Sequence, residues 1–241
     1  MNNILITGGS GEIGEEIISH LASNNNKIFF TYFSNYKRAR NLHKKIKKKN
    51  HNIYFYKVSN NRQSEVSQTI KKIKKNHGSI DILINNAGRS QIKNFTKINE
   101  IDLDLMIDVN LKGTFFWCQQ VIKDMIKKKY GRIINIASIG GQWGGTEQIH
   151  YAISKAGIIC LTKSLAKTFS KNGITTNCIS PGLIDTKMIK KTNLQKNLKF
   201  IPSKRVGKTY DLLSAVDFLI DKRSSYVTGQ TVNVNGGMFF S

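Results

Sequence analysis

Tyr151 and Lys155, four residues apart, are the pair in this sequence best suited to moving a proton. On a helix that spacing puts both side chains on one face. A free tyrosine titrates near pH ~10, and a neighbouring ammonium stabilises the phenolate and lowers that value. A tyrosine tuned in this way can hand its proton to a developing alkoxide near neutral pH. Ser138 closes the run Ile134-Asn135-Ile136-Ala137 and brings a hydroxyl that can donate to a substrate oxygen. Asn110, an amide between Val109 and Leu111, is awkward as simple core. Each feature has a plainer alternative: Tyr-x-x-x-Lys arises by accident on solvated helices, and Asn110 could simply face water.

A second group of residues could hold a dinucleotide. Residues 7–14 read T-G-G-S-G-E-I-G, after an apolar run and before a helical pattern. Gly8 permits a tight turn there. Gly11 and Gly14 let backbone approach a pyrophosphate, with Ser10 and Ile13 completing the loop, and the first N–H groups of the helix favour its charge. An ordinary glycine-rich turn is the alternative. NAD sites usually place an acid roughly 20 residues past the loop. The stretch Thr31 to Asn35 has none, and Ser34, Lys37 and Arg38 stand there instead. Hydroxyl and cationic donors suit a 2′-phosphate, which points to NADPH/NADP+. Asn86, Ala87 and Gly88, in N-N-A-G, can line the adenosine ribose, and Pro181, Gly182, Ile184 and Thr186, in P-G-L-I-D-T, can wrap the nicotinamide.

The elements that must carry these groups alternate. Strands are expected at Asn3–Thr7, Ile28–Tyr32, Ile53–Val58, Ile80–Asn85, Arg132–Ala137, Thr175–Ile179 and Thr231–Val234. Helical patterns lie between them, one running from Asp102 to Lys129 and one from Tyr151 to Ser170. Such alternation predicts an α/β fold, a Rossmann-type doubly wound sheet of about seven parallel strands with helices on both faces. The whole chain, 1–241, reads as one domain, with residues 1–137 for the cofactor and 138–241 for catalysis and substrate.

Composition narrows the class. The 241 residues are 39% hydrophobic, enough for one globular core. No run reaches the ~18 apolar residues of a membrane span, and the N-terminus lacks a secretory pattern. Cys118, Cys160 and Cys178 are scattered, so neither a disulfide framework nor a metal site is expected, which fits a cytoplasmic protein. The net charge of +23 comes mostly from lysines dispersed over helical patterns, not from clustered bases with stacking aromatics, so a nucleic-acid partner is not expected.

Taken together, these strings resemble a single-domain short-chain dehydrogenase/reductase along essentially the whole chain, and most of all the 3-oxoacyl-[acyl-carrier-protein] reductases of fatty-acid and polyketide-type synthesis. The resemblance extends through I-P-S-K-R-V-G at Ile201 to Gly207 and Y-V-T-G-Q-T-V-N-V-N-G-G-M at Tyr226 to Met238. It implies that Tyr151 donates the proton. Lys155 would hold the nicotinamide ribose and lower the Tyr151 pKa, Ser138 would polarise the ketone, and Asn110 would anchor a water linking Lys155 to solvent. The cofactor provides hydride; the protein orients.

Three positions depart from the family, the first being Gly11, where many NADP-using relatives carry a basic residue that contacts the 2′-phosphate. Glu12 stands where the family loop has glycine, and is expected to point outward; Lys57 stands where relatives tend to carry Asp. Lys129 and Lys171 match docking bases for an acidic acyl carrier protein, expected near the mouth of the site. Gln142, Trp143 and Gln148 are expected to line the substrate pocket, Trp143 having a packing role as its alternative. Residues 186–200 are expected to form a substrate lid. A homo-oligomer, tetramer or dimer, is expected. A sugar, steroid or small ketone remains an alternative substrate, and a non-catalytic nucleotide-binding module an alternative of another class.

Overall fold

The first strands are nearly unbroken apolar runs because helices cover both faces of the sheet they enter. Ile4, Leu5 and Ile6 of β1 (Asn3–Ile6), Ile28, Phe29 and Phe30 of β2 (Lys27–Tyr32), and Ile82, Leu83 and Ile84 of β4 (Ile82–Asn85) are all fully buried. The remaining strands are β3 (Ile53–Lys57), β5 (Gly131–Ile136), β6 (Ile174–Pro181) and β7 (Thr231–Val234). The computed structural model describes residues 1–24, 26–187 and 198–240. All pairings are parallel, in the order β3-β2-β1-β4-β5-β6-β7. This is the α/β architecture expected from the sequence. Chain order runs outward one way from β1 and the other way from β4, so the switch point lies between them, where such sheets bind ligands.

Alternate strand residues serve opposite layers. Ile4 and Ile6 join Ile17, Ile18 and Leu21 of α1 (Glu12–Leu21), Leu42 and Ile46 of α2 (Tyr36–Lys47), and Val216 and Leu219 of a late helix, α8 (Leu213–Ile220). Leu5, Phe29 and Leu83 join Val66, Ile70 and Ile73 of α3 (Gln63–His77) and Trp117, Val121 and Met125 of α5 (Gly113–Lys128). The helix α7 (Ile149–Phe169) packs on that second face through Leu165 and Phe169. Between β5 and α7 lies the single turn α6 (Gly140–Trp143).

The helix expected from Asp102 to Lys129 is instead three pieces: α4 (Glu100–Met106), a π-turn over Ile107–Lys112, and α5. One extra residue per turn barely disturbs an apolar pattern, so the sequence does not announce it. Its effect is local: Asn110, which could have faced water on a regular helix, is fully buried and faces α7. Among the described residues no helix is long and apolar enough to cross a membrane. No disulfide forms; Cys118 and Cys178 are buried and Cys160 is exposed.

Candidate active site

The glycine turn after β1 is fixed by threonines. Gly8 has φ +64°, and a Cβ there would lie 2.8 Å from the Ala87 Cα, so only glycine allows the loops after β1 and β4 to meet. The Thr7 hydroxyl accepts from the N–H groups of Asn86 (3.0 Å) and Ala87 (2.9 Å), and the Asn86 amide donates back to the Thr7 and Gly8 carbonyls. Thr31, at the end of β2, receives the Gly8 N–H on its hydroxyl and the Gly9 N–H on its carbonyl. Gly11 is the N-cap of α1 and supplies no capping side chain. The first-turn N–H groups therefore have no intrahelical acceptor, which is the donor set an anionic phosphate requires.

The catalytic candidates converge from three elements. Lys155 is 4% exposed, and its Nζ donates to the Ile136 carbonyl at 2.8 Å. Burial pulls its pKa down to about 8. The ammonium lies 5.7 Å from the centre of the Tyr151 ring. Ser138, two residues past β5, lies close enough to the Tyr151 phenol to favour its ionised form, but burial is the larger effect and raises the phenol above its ordinary value. In the protein alone desolvation outweighs the Ser138 contact, the phenol sits above its ordinary value, and Tyr151 keeps a proton to give.

Asn110 is a clamp. Its Oδ1 accepts from the Arg89 N–H (2.8 Å), and its Nδ2 donates to the Arg89 carbonyl (2.9 Å) and to Ser154 Oγ (2.9 Å). The loop after β4 is thereby joined to α7 one residue before Lys155. A Cβ on Gly88 would lie 3.4 Å from Asn110 Oδ1 and 3.5 Å from Lys155 Nζ, so the missing side chain leaves a cradle between the two polar groups. Glycine loop, uncapped helix start, cradle and a buried ammonium with one protein acceptor together fit a nicotinamide dinucleotide.

Several expectations fare differently. Arg38 is not free: its guanidinium donates to Glu15 Oε2 (3.1 and 3.3 Å), while Ser34 and Lys37 are exposed. Glu12 does not point into solvent; Glu12 Oε2 accepts the Lys187 N–H at 2.7 Å, reaching across to the chain beyond β6. Lys57 is exposed at the end of β3. Ile184 is buried and pairs with Gly207, the Thr186 hydroxyl donates to the Ile184 carbonyl, and Gly182 lies against Asn235. Pro181 accepts from Ile139 N–H. Ser10, Ile13 and Gly14 sit at the start of α1, where a Cβ on Gly14 would lie 2.6 Å from the Gly8 carbonyl.

Gln142 turns from the expected pocket to the sheet, donating to Ser180 (2.8 Å) and Asn233 (2.6 Å). Trp143 is half exposed and meets Phe239 edge to face, and Gln148 precedes α7. Lys129 and Lys171 precede β5 and β6, whereas Ser138 and Pro181 follow or end them. Parallel strands of six and eight residues carry the lysines about 20 Å or more from the mouth. Their expected place at the mouth is corrected: within one protomer they lie on the opposite edge. Most of the expected lid, residues 188–197, lies outside the described residues. Among the described residues no cluster of His, Cys, Asp or Glu could hold a metal ion.

The sequence reading missed Thr7, Thr31 and Ser154. It also missed a chain behind Tyr151. His150 is buried and bonds Gln91 (2.8 Å), Gln91 donates to Asp102 (2.8 Å), and Lys93 pairs with the same carboxylate. These donors hold the Asp102 pKa down to about 2. For Asp102, His150 and Ser154 the available signal was polarity at helix-core positions.

The chain belongs to the short-chain dehydrogenase family, whose sequence profile matches residues 2–197. It is therefore an oxidoreductase of a class that works with nicotinamide cofactors. Among its relatives is the 3-oxoacyl-[acyl-carrier-protein] reductase of Staphylococcus epidermidis, 35% identical over 98% of both chains. The enzymes of the same name from Aquifex aeolicus and Buchnera aphidicola are each 36% identical over 98% of this chain, covering 96% and 97% of their own lengths. A solved structure from Agrobacterium tumefaciens, provisionally assigned as a gluconate dehydrogenase, superposes with a TM-score of 0.94 at 28% identity, covering 98% of this chain and 95% of its own.

Proposed function

We propose that this protein reduces the 3-keto group of a carrier-protein-bound 3-oxoacyl chain with NADPH, giving the 3-hydroxyacyl product. The observation that carries the reading is the convergence of Tyr151, with Ser138 close by, on the buried Lys155 ammonium beside the Gly88 cradle. The dinucleotide, when bound, supplies the hydride. Ser138 orients and polarises the ketone oxygen, and Tyr151 gives its phenolic proton to that oxygen as negative charge develops. Lys155 holds the ribose hydroxyls and stabilises the phenolate left on Tyr151. Asn110 keeps the cradle open and anchors the water through which the proton returns from solvent. Residues 1–137 hold the cofactor, and 138–241 the catalytic and substrate groups.

NADPH over NADH is favoured by the absence of an acid from Thr31 to Asn35 and by Ser34 and Arg38. A carrier-bound substrate is favoured by the relatives' names, and an acidic carrier suits a chain of net charge +23. Exposed Phe115 on α5, Ile153 on α7 and Phe240 suit a homo-oligomer, tetramer or dimer. The second reading, a small-alcohol or sugar dehydrogenase, has the Agrobacterium structure in its favour.

The test is NADPH oxidation with acetoacetyl and longer 3-oxoacyl groups on a carrier protein, against a panel of sugars and small ketones. Tyr151→Phe is expected to lower turnover roughly 100- to 10,000-fold while NADPH still binds. Turnover of sugars alone would replace this reading by the second.

A further inference from the structure

The first turns of α1 are unusually acidic for so basic a chain: Glu12, Glu15 and Glu16 fall within five residues. Two of the three are engaged away from the glycine turn. Glu15 takes Arg38 and, at 3.9 Å, Lys45, while Glu16 accepts from the Thr209 hydroxyl at 2.9 Å. Glu12 is the first helical residue after Gly11, and its carboxylate accepts the Lys187 N–H. It therefore lies between the start of α1, read above as the pyrophosphate loop, and the chain leaving β6, read above as lining the nicotinamide. A carboxylate there uses the same positive helix end, and a backbone donor of the same mouth, as a phosphate would.

Building on the dinucleotide reading above, we propose that Glu12 is an internal anion that competes with the cofactor's pyrophosphate and sets the affinity of the site. Binding has to displace the Glu12–Lys187 contact and place like charge beside the carboxylate. Glu12 is not what holds the flanking segment in place. The Asp185 N–H donates to the Gly207 carbonyl (2.8 Å), Lys208 pairs with Asp185 (2.8 Å), and Ile184 bridges to Gly207. Removing the charge therefore leaves that segment anchored from its other side.

Isothermal titration of the full chain with NADPH, for wild type and Glu12→Gln, separates the outcomes. The glutamine keeps an acceptor for Lys187 and loses only the charge. Glu12→Gln is expected to tighten NADPH binding roughly three- to tenfold at 50 mM salt, the scale of one charge pair near a surface. The gain is expected to shrink to within about twofold at 0.5 M salt. Adenosine 2′-monophosphate, which lacks the pyrophosphate, is expected to bind both proteins equally. Equal or weaker NADPH binding by Glu12→Gln at low salt overturns the proposal, and so does an equal gain for adenosine 2′-monophosphate. Failure of both folded proteins to bind NADPH or NADH overturns the dinucleotide reading itself.

Discussion

The candidate catalytic corner and the charged first turns of α1, which flank the threonine-held glycine turn, lie on the same edge of the sheet but make contacts of different kinds. Asn110, Ser154 and Lys155 are buried and use neutral partners: the Arg89 backbone, one another and the Ile136 carbonyl. The start of α1 is ordered around carboxylates at partly exposed positions, with Glu15 on Arg38 and Glu12 on Lys187. Hydrogen bonds of the first kind are strong in their low dielectric and indifferent to salt. Contacts of the second kind are weak individually and screened. On the proposed reading, geometry for the chemical step would be set rigidly, and cofactor affinity would be adjusted by single surface charges.

Changes at the buried corner give the largest effects. Asn110→Leu leaves the Arg89 N–H, the Arg89 carbonyl and Ser154 without their partner. We expect a loss on the order of 3 kcal/mol in denaturant unfolding, with a parallel fall in kcat and no salt dependence of either. A strong dependence on salt would blur the distinction between the corners.

Lys155→Met tests the charge within the same corner. The folded Lys155 pKa of about 8 lies below the ordinary 10.5, so between those values the unfolded chain binds the extra proton. Wild-type stability should therefore rise with pH across that window, and the charged lysine costs stability below it. After allowing for the lost bond to Ile136, Lys155→Met is expected to gain about 1–2 kcal/mol at pH 7 while activity disappears. The gain should fade from pH 8 to 10 in thermal melts; a constant gain would mean that packing, not charge, is responsible.

The smallest effect belongs to the exposed corner. Arg38→Ala should narrow the NADPH-over-NADH preference in kcat/KM by roughly three- to fivefold at low salt, an exposed ion's share. In 0.5 M salt the change should vanish. A hundredfold change would show that Arg38 leaves Glu15 altogether for the cofactor.

Most of the framework was legible because strand and helix periodicities differ and the motifs punctuate strand ends. Ile4-Leu5-Ile6 and Ile28-Phe29-Phe30 are too short and too apolar for anything but buried strands, and they fix where Gly8 and Ser34 must fall. The π-turn was not legible, since Val109-Asn110-Leu111 reads the same on either helix. Nor was the direction of a charged side chain. Glu12 turning to Lys187, Arg38 to Glu15 and Gln142 to Ser180 are choices among rotamers made by neighbours distant in sequence. Lys129 and Lys171 were legible as bases, but their distance from the mouth follows only once β5 and β6 are laid out as parallel strands.

The Asn110 clamp also bears on how the protein comes into being. Its partners lie 21 and 44 residues away along the chain, and Lys155 must cross to a strand that begins more than 20 residues earlier. Such distant closures come late, after local helices have formed and loop entropy has been overcome. The glycine turn closes over longer spans still, from Thr7 to Asn86 and Ala87 across 79 and 80 residues, so a partly folded chain owns neither corner complete. On the proposed reading, reactivity would arrive only with the last of these contacts, leaving an unfinished molecule silent.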